Sequence, residues 1–155
     1  MIPIVRAKPE DAKTLTEIAH AAKRHWGYSD SWIEAWRDIL TMRPEFLEAN
    51  VAYVAVEDDR AVGFYVLTPE DDGVHLDHLW VAPDAMRRGI GRTLFEHAAV
   101  EAKNLGCDSI MIEADPNAEG FYKRMGAKRV GTSASEMEGE RREIPLMEFH
   151  LAKSS

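Results

Sequence analysis

The stretch VHLDHLWVAPDAMRRGIGRTLFEHAAVEAKNL, residues 74–105, decides how the rest of the chain is read. Its opening places Val74, Leu76, Leu79 and Val81 in a strand-type pattern, and Pro83 stops the ladder. Arg87, Arg88, Gly89, Ile90, Gly91 and Arg92 make a turn. Ile90, Leu94, Ala98, Ala102 and Leu105 then recur at helical spacing as a buried stripe, with Gly106 as the C-terminal stop. A helix start leaves backbone N–H groups without internal partners and carries the positive end of the helix dipole. Glycines there let a phosphate approach the bare amides, and neighbouring arginines add attraction at longer range. Glycine also serves ordinary tight turns, so from these residues alone an anion cradle and a plain turn stand level.

Working outward, residues 51–56 and 61–67 read as two strands around the polar turn Glu57, Asp58, Asp59, Arg60. Asp71, Asp72 and Gly73 turn into the strand at residue 74, which gives an antiparallel meander. Ahead of it, Ile2, Ile4 and Arg6 suit a first strand. Pro9, Glu10 and Asp11 open a helix carrying Leu15, Ile18, Ala19 and Ala22 and ending near Trp26 and Gly27. Ser29 or Ser31 caps a second helix, with Trp32, Trp36, Ile39 and Leu40 on one face and Arg43-Pro44 closing it. After the glycine turn and its helix come a strand over residues 107–114, a short helix around Tyr122, a strand at 128–131 and a last strand at 146–151. The polar residues 132–143 between those two strands are either a long hairpin loop or a mobile flap.

A chain of 155 residues fits one domain, taken as residues 1–155. No apolar run is long enough to span a bilayer and the N-terminus lacks the features of a secretory signal, so the expected compartment is the cytoplasm. The net charge of −8 argues against a nucleic-acid partner, which calls for a basic surface. The lone Cys107 excludes an internal disulfide or a multi-cysteine metal site and reads as a buried structural thiol. Strand alternation puts His75, Asp77 and Leu79 on one face and Leu76, His78 and Trp80 on the other, so His75 and His78 cannot easily share an ion and no metal is expected.

Leu79, Trp80, Val81, Ala82 and Pro83, followed by Met86, Arg87, Arg88, Gly89, Ile90 and Gly91, resemble the acetyl-CoA motif of the GCN5-related N-acetyltransferases (GNAT). Met86 stands where that pattern has Arg or Gln. The family's turn works mostly through backbone amides, and Arg87 and Arg88 keep the charge. A second motif follows in the expected order: Pro116, Asn117 and Ala118, then Phe121, Tyr122, Lys123, Arg124, Met125, Gly126 and Ala127. The resemblance implies an α/β (mixed α+β) fold, a mainly antiparallel mixed sheet of about six or seven strands flanked by helices. It implies acetyl-CoA as co-substrate, a primary amine as acceptor, and a homodimer as one arrangement the family adopts.

By the same resemblance, the amides from Arg87 to Arg92 hold the pyrophosphate, Asn117 and Tyr122 adjoin the cofactor, and Leu79, Trp80 and Val81 pair with the pantetheine arm. The Leu79 N–H is the expected donor to the thioester oxygen. Tyr122 is the expected general acid, because a phenol holds its proton near neutral pH and can give it to a departing thiolate. For the base, Asp77, His75, Glu113 and a water chain all remain candidates. His25, Trp26 and Tyr28, at the joint between the first two helices, border the expected acceptor pocket, although Trp26 also suits helix packing. Another reading keeps the fold and the acyl-CoA site but not the transfer, as a sensor or interaction domain.

Overall fold

A computed structural model describes residues 2–151. Its strands are β1 (Ile4–Arg6), β2 (Val51–Glu57), β3 (Arg60–Glu70), β4 (Gly73–Val81), β5 (Ser109–Glu113), β6 (Lys128–Met137) and β7 (Glu140–His150). They form one seven-stranded sheet in the order β1-β2-β3-β4-β5-β7-β6. Only β4 and β5 run parallel; every other neighbouring pair is antiparallel. The β2–β3 hairpin turns on Asp58 and Asp59, both with positive φ (52° and 61°), the conformation whose twist matches that of the flanking strands.

Residues 132–143 are neither a loop nor a flap: they complete β6 and β7, which meet at a tight turn of Glu138 (φ 50°) and Gly139 (φ 81°). Ser133 and Ser135 are half-buried while Thr132, Ala134 and Glu136 are exposed, so the period of two is present. It is hard to see in the sequence because the inward side chains are hydroxyls.

Helix α1 (Ala12–His25) buries Leu15, Ile18, Ala19 and Ala22. The expected second helix is broken into α2 (Asp30–Ala35) and α3 (Arg37–Leu40), with the Ser29 hydroxyl accepting from Trp32 N–H as the cap. Arg43-Pro44 does not close this region; Arg43 is extended and Pro44 opens a further helix, α4 (Pro44–Ala49), where its missing N–H costs nothing. Helix α5 (Ile90–Asn104) buries Ile90, Leu94, Phe95, Ala98 and Ala102, and Gly106 stops it in the left-handed region at φ 84°. Leu105, expected in that stripe, lies past the last turn and is 47% exposed. Helix α6 (Glu119–Met125) ends at Gly126, φ 105°.

The register of β3 against β4 corrects the face assignment within β4. Leu67 pairs with Leu76 and Val66 with His78, so Asp77 is an extra residue, a bulge. Past it the alternation is reset. His75 lies opposite Thr68, His78 opposite Val66 and Trp80 opposite Phe64, on one face, whereas Leu76 and Leu79 lie opposite Leu67 and Tyr65 on the other. Asp77 accepts a hydrogen bond from the Thr68 hydroxyl and so joins the histidine face. His75 and His78 therefore share a face after all. No group of three or more His, Cys, Asp or Glu side chains that could hold a metal occurs among the described residues. Nor is any helix among them long and apolar enough to cross a membrane.

Candidate active site

The glycine turn has a backbone that suits an anion. Arg87 (φ 65°) and Gly89 (φ 79°) are both left-handed, flanking Arg88, and no side chain caps the start of α5. Successive amides in such a turn converge on a concavity that suits an anion, and the helix dipole adds to it. Gly91 is needed for space: a Cβ there would lie 3.3 Å from the Phe121 ring. The cradle opens into a groove of about 420 Å³ whose lining includes Leu79, Val81, Met86, Arg87, Arg92 and Arg124. Arg88 departs from expectation. Its guanidinium turns away and pairs with both carboxylate oxygens of Glu57, so its charge is matched outside the groove. Arg124 of α6, part of the second motif but given no cofactor role there, lines the groove instead.

Beside the groove the sheet comes apart. Parallel pairing between β4 and β5 consists of Val74 with Ile110 and His75 with Met111, and nothing beyond. On the other side of β4, Ala82 N–H donates to Val62 C=O at 2.9 Å. Bonded pairs alternate along an antiparallel ladder, so Trp80 and His78 exchange bonds with β3, while Leu79 and Val81 turn their peptide groups away from it, toward the gap. Free peptide groups in the middle of a sheet are an incomplete ladder that an extended ligand can complete.

A second cavity, of about 390 Å³, lies across the gap and shares Trp26, Leu79, Trp80, Ala118 and Tyr122 with the groove. Tyr122 is 6% exposed, and its ring packs against Phe95 and Phe121. Its hydroxyl makes no hydrogen bond to the described residues and is not sealed from solvent, so it is open to the cavities it lines. Burial, and secondarily the charge of Asp115, push its pKa well above that of an ordinary phenol. His78 also lines the second cavity. Burial lowers its pKa to about 4 against a weaker opposing pull from Asp77. Trp80 Nε1–H donates to its Nδ1 at 3.1 Å, so the neutral ring carries its proton on Nε2.

The far end of this cavity holds a charged cluster walled by indoles. Lys23 and Asp115 form an ion pair of 2.6 Å, each side chain about nine-tenths buried. Burial lowers the Lys23 pKa, and the attraction of Asp115 only partly offsets it. For Asp115 burial acts upward, yet Lys23 and the Asn117 backbone and side-chain N–H donors outweigh it and hold the carboxyl below its usual range. Tyr28 donates to Asp115 at 3.0 Å and accepts from Asn117 Nδ2 at 3.0 Å and from Arg142 at 2.7 Å. Burial and the Asp115 charge push its pKa up to about 12. The Lys23 ammonium sits 4.1 Å from the centre of the Trp36 ring, and the Arg142 guanidinium 5.1 Å from that same ring.

Of the residues expected at the acceptor side, Trp26, Asp77 and Glu113 line the second cavity and Tyr28 belongs to the cluster. His75 lines a neighbouring cavity with Asp77 and Glu113 and pairs with Asp72 at 3.1 Å. His25 is exposed at the end of α1 and lines neither the groove nor the second cavity. Asn117 borders the groove, but its amide is engaged with Tyr28 and Asp115. Lys23 and Arg142 carry no mark in the sequence: a lysine late in an amphipathic helix looks like a solvated residue, and Arg142 sits in the stretch that reads as a hairpin loop or a flap.

A cradle of bare amides, a parted sheet and a shared wall between two cavities fit a long ligand with a diphosphate at one end and an acyl group at the other. The acetyltransferase (GNAT) family model matches residues 13–127, and the chain belongs to that family; it is an acyltransferase. The peptidyl-lysine N-acetyltransferase YjaB of Salmonella typhimurium is 35% identical over 136 residues, which cover 86% of this chain and 88% of that one. A GCN5-related N-acetyltransferase from Rhodopseudomonas palustris superposes with a TM-score of 0.83 at 25% identity, over 97% of this chain and 96% of that one. A GNAT family acetyltransferase from Brucella melitensis, solved in complex with acetyl-CoA, has the same fold, with a TM-score of 0.68 at 20% identity over 100% and 91% of the two chains.

Proposed function

We propose that the protein transfers an acetyl group from acetyl-CoA directly to a primary amine of a small molecule or a peptide. The observation that carries this reading is the meeting of groove and cavity at Leu79 and Tyr122, one offering an outward-facing N–H and the other a protonated phenol. Acetyl-CoA supplies the acetyl group as a thioester. The cradle amides from Arg87 to Arg92 hold its diphosphate, with Arg87 and Arg124 adding charge, and the peptide groups of Leu79 and Val81 complete the ladder.

The Leu79 N–H stabilises negative charge building on the carbonyl oxygen, an effect worth on the order of 3 kcal/mol for one well-aimed donor. The amine nitrogen forms its bond to the carbonyl carbon as the C–S bond breaks. Tyr122 gives its proton to the sulfur, and the proton lost by the amine leaves toward solvent through Asp77, directly or by water. His78 is a poor base, since its unprotonated nitrogen is taken by Trp80. A lysine side chain enters the choice of acceptors because the Salmonella relative is named for peptidyl lysine. Incubation with acetyl-CoA and a panel of amines, followed by free-thiol release and mass of the acetylated product, tests the reading. Product formation with thiol release supports it, and binding of acetyl-CoA with no turnover on any amine overturns it.

A further inference from the structure

The acceptor cavity is lined by two cations, Lys23 and Arg142, and three carboxylates, Asp77, Glu113 and Asp115. Lys23 is paired with Asp115, but the Arg142 guanidinium makes no ion pair among the described residues. Its one hydrogen bond among the described residues goes to the neutral Tyr28 hydroxyl, which leaves most of its N–H donors unused there. None of the nearby acids reaches it: Glu138 accepts from Trp32 Nε1, and Glu140 and Glu143 line an outer cavity together with Arg142 without pairing with it. Asp77 and Glu113 line the cavity on β4 and β5. Arg142 is half-buried, fixed against the rings of Tyr28, Trp32 and Trp36, and lies opposite Ser135 in the β6–β7 register. Ser133 and Ser135 line the same cavity, and neither hydroxyl makes a hydrogen bond among the described residues. A rigid guanidinium fork with hydroxyl donors beside it matches a planar carboxylate.

We infer that the acceptor is a small amine carrying a carboxylate, an amino-acid-like zwitterion. Arg142, with Ser133 and Ser135, binds the carboxylate, and the amine lies toward Leu79 and Tyr122. The inference rests on the acetyl-transfer reading for its amine and, for its carboxylate, on the Arg142 guanidinium whose donors no carboxylate engages among the described residues. A cavity of about 390 Å³ suits such a molecule, being at the small end of the usual range for ligand sites.

The test compares free L-amino acids with their primary amides and with a lysine-containing peptide blocked at both ends, using the wild type, Arg142→Gln and Ser135→Ala. Arg142→Gln keeps a partner for Tyr28 and removes the charge; thermal unfolding verifies that each variant is folded. For the wild type, kcat/KM for the amino acids should exceed that for the amides by roughly 10- to 100-fold, the worth of a charge-assisted contact. Arg142→Gln should erase that preference through KM, and Ser135→Ala should reduce it by roughly 3- to 10-fold. Calorimetry with the N-acetyl amino acids gives a readout independent of turnover: binding to the wild type and at least tenfold weaker binding to Arg142→Gln supports the inference even when no amine is acetylated, an outcome that sinks the transfer reading alone. Equal use of acids and amides, a preference for the blocked peptide, or N-acetyl amino acids binding both proteins alike overturns it.

Discussion

Replacing Tyr122 with Phe removes one hydroxyl from a residue that is otherwise core. Its ring contacts with Phe95 and Phe121 survive, and the hydroxyl has no protein partner to leave orphaned. Stability should therefore change little: a shift of about 1 kcal/mol would move the midpoint of thermal unfolding by only about 2–4 °C in a chain of this size. A lost general acid typically costs about 10²- to 10⁴-fold, which at 1.36 kcal/mol per decade is about 2.7–5.4 kcal/mol on the barrier. The loss should fall on kcat, with KM for acetyl-CoA nearly unchanged, because in the proposed mechanism the hydroxyl acts on the departing sulfur rather than on the diphosphate. Burial and Asp115 raise the phenol pKa, so the wild-type rate should not decline through ionisation of Tyr122 until the pH exceeds about 10. Thiol release at saturating acetyl-CoA, run beside thermal unfolding, measures both effects. A variant that turns over within about twofold of wild type would assign Tyr122 to packing and refute the proton-donor role.

Further outcomes are expected elsewhere in the molecule. A Cβ at Gly63 would meet the Trp80 carbonyl at 2.9 Å and Leu94 Cδ1 at 3.0 Å, so Gly63→Ala should destabilise the fold by about 1–3 kcal/mol and weaken acetyl-CoA binding by prising α5 from β4, read by unfolding and calorimetry. His78 has a folded pKa of about 4 against an ordinary 6.5, so the unfolded chain takes up the proton first; its contribution to stability is complete above pH 6.5 and is lost as pH falls through 4. That shift corresponds to about 3 kcal/mol across the window, and urea midpoints for His78→Gln should lose that slope; identical slopes would contradict it. Arg87→Ala should raise KM for acetyl-CoA by roughly 5- to 20-fold, whereas Arg88→Ala, which breaks only a surface pair with Glu57, should leave it unchanged; equal effects would mean that Arg88 leaves Glu57 for the ligand.

Much of the glycine turn and its flanking elements was legible because their signals are local. Gly89, Gly91, Pro83 and the stripe from Ile90 to Ala102 specify a turn and a helix within a few residues of one another, and Tyr122 and Gly126 do the same for α6. The acceptor side depends on contacts between distant parts of the chain. The bulge at Asp77 exists only as a mismatch with β3, so alternation within β4 alone misassigned His78 and Leu79. Lys23 meets Asp115 across 92 positions, and Tyr28 meets Arg142 across 114. Neither partner carries a local mark. The full length of the β6–β7 hairpin is not visible in the sequence because its inner face is lined by serines, where strand patterns are sought in aliphatic residues.

The two rungs that join β4 to β5 make the sheet a pair of leaves sharing a short spine. A ligand bound between them, as proposed for acetyl-CoA, would act as a binding thread, so amide protons of Leu79 and Val81 should exchange quickly with deuterium in the bare protein and slowly once acetyl-CoA is laced in. On this view the enzyme grows stiffest at the moment its reactants are aligned, and loosens again as the spent thiol departs.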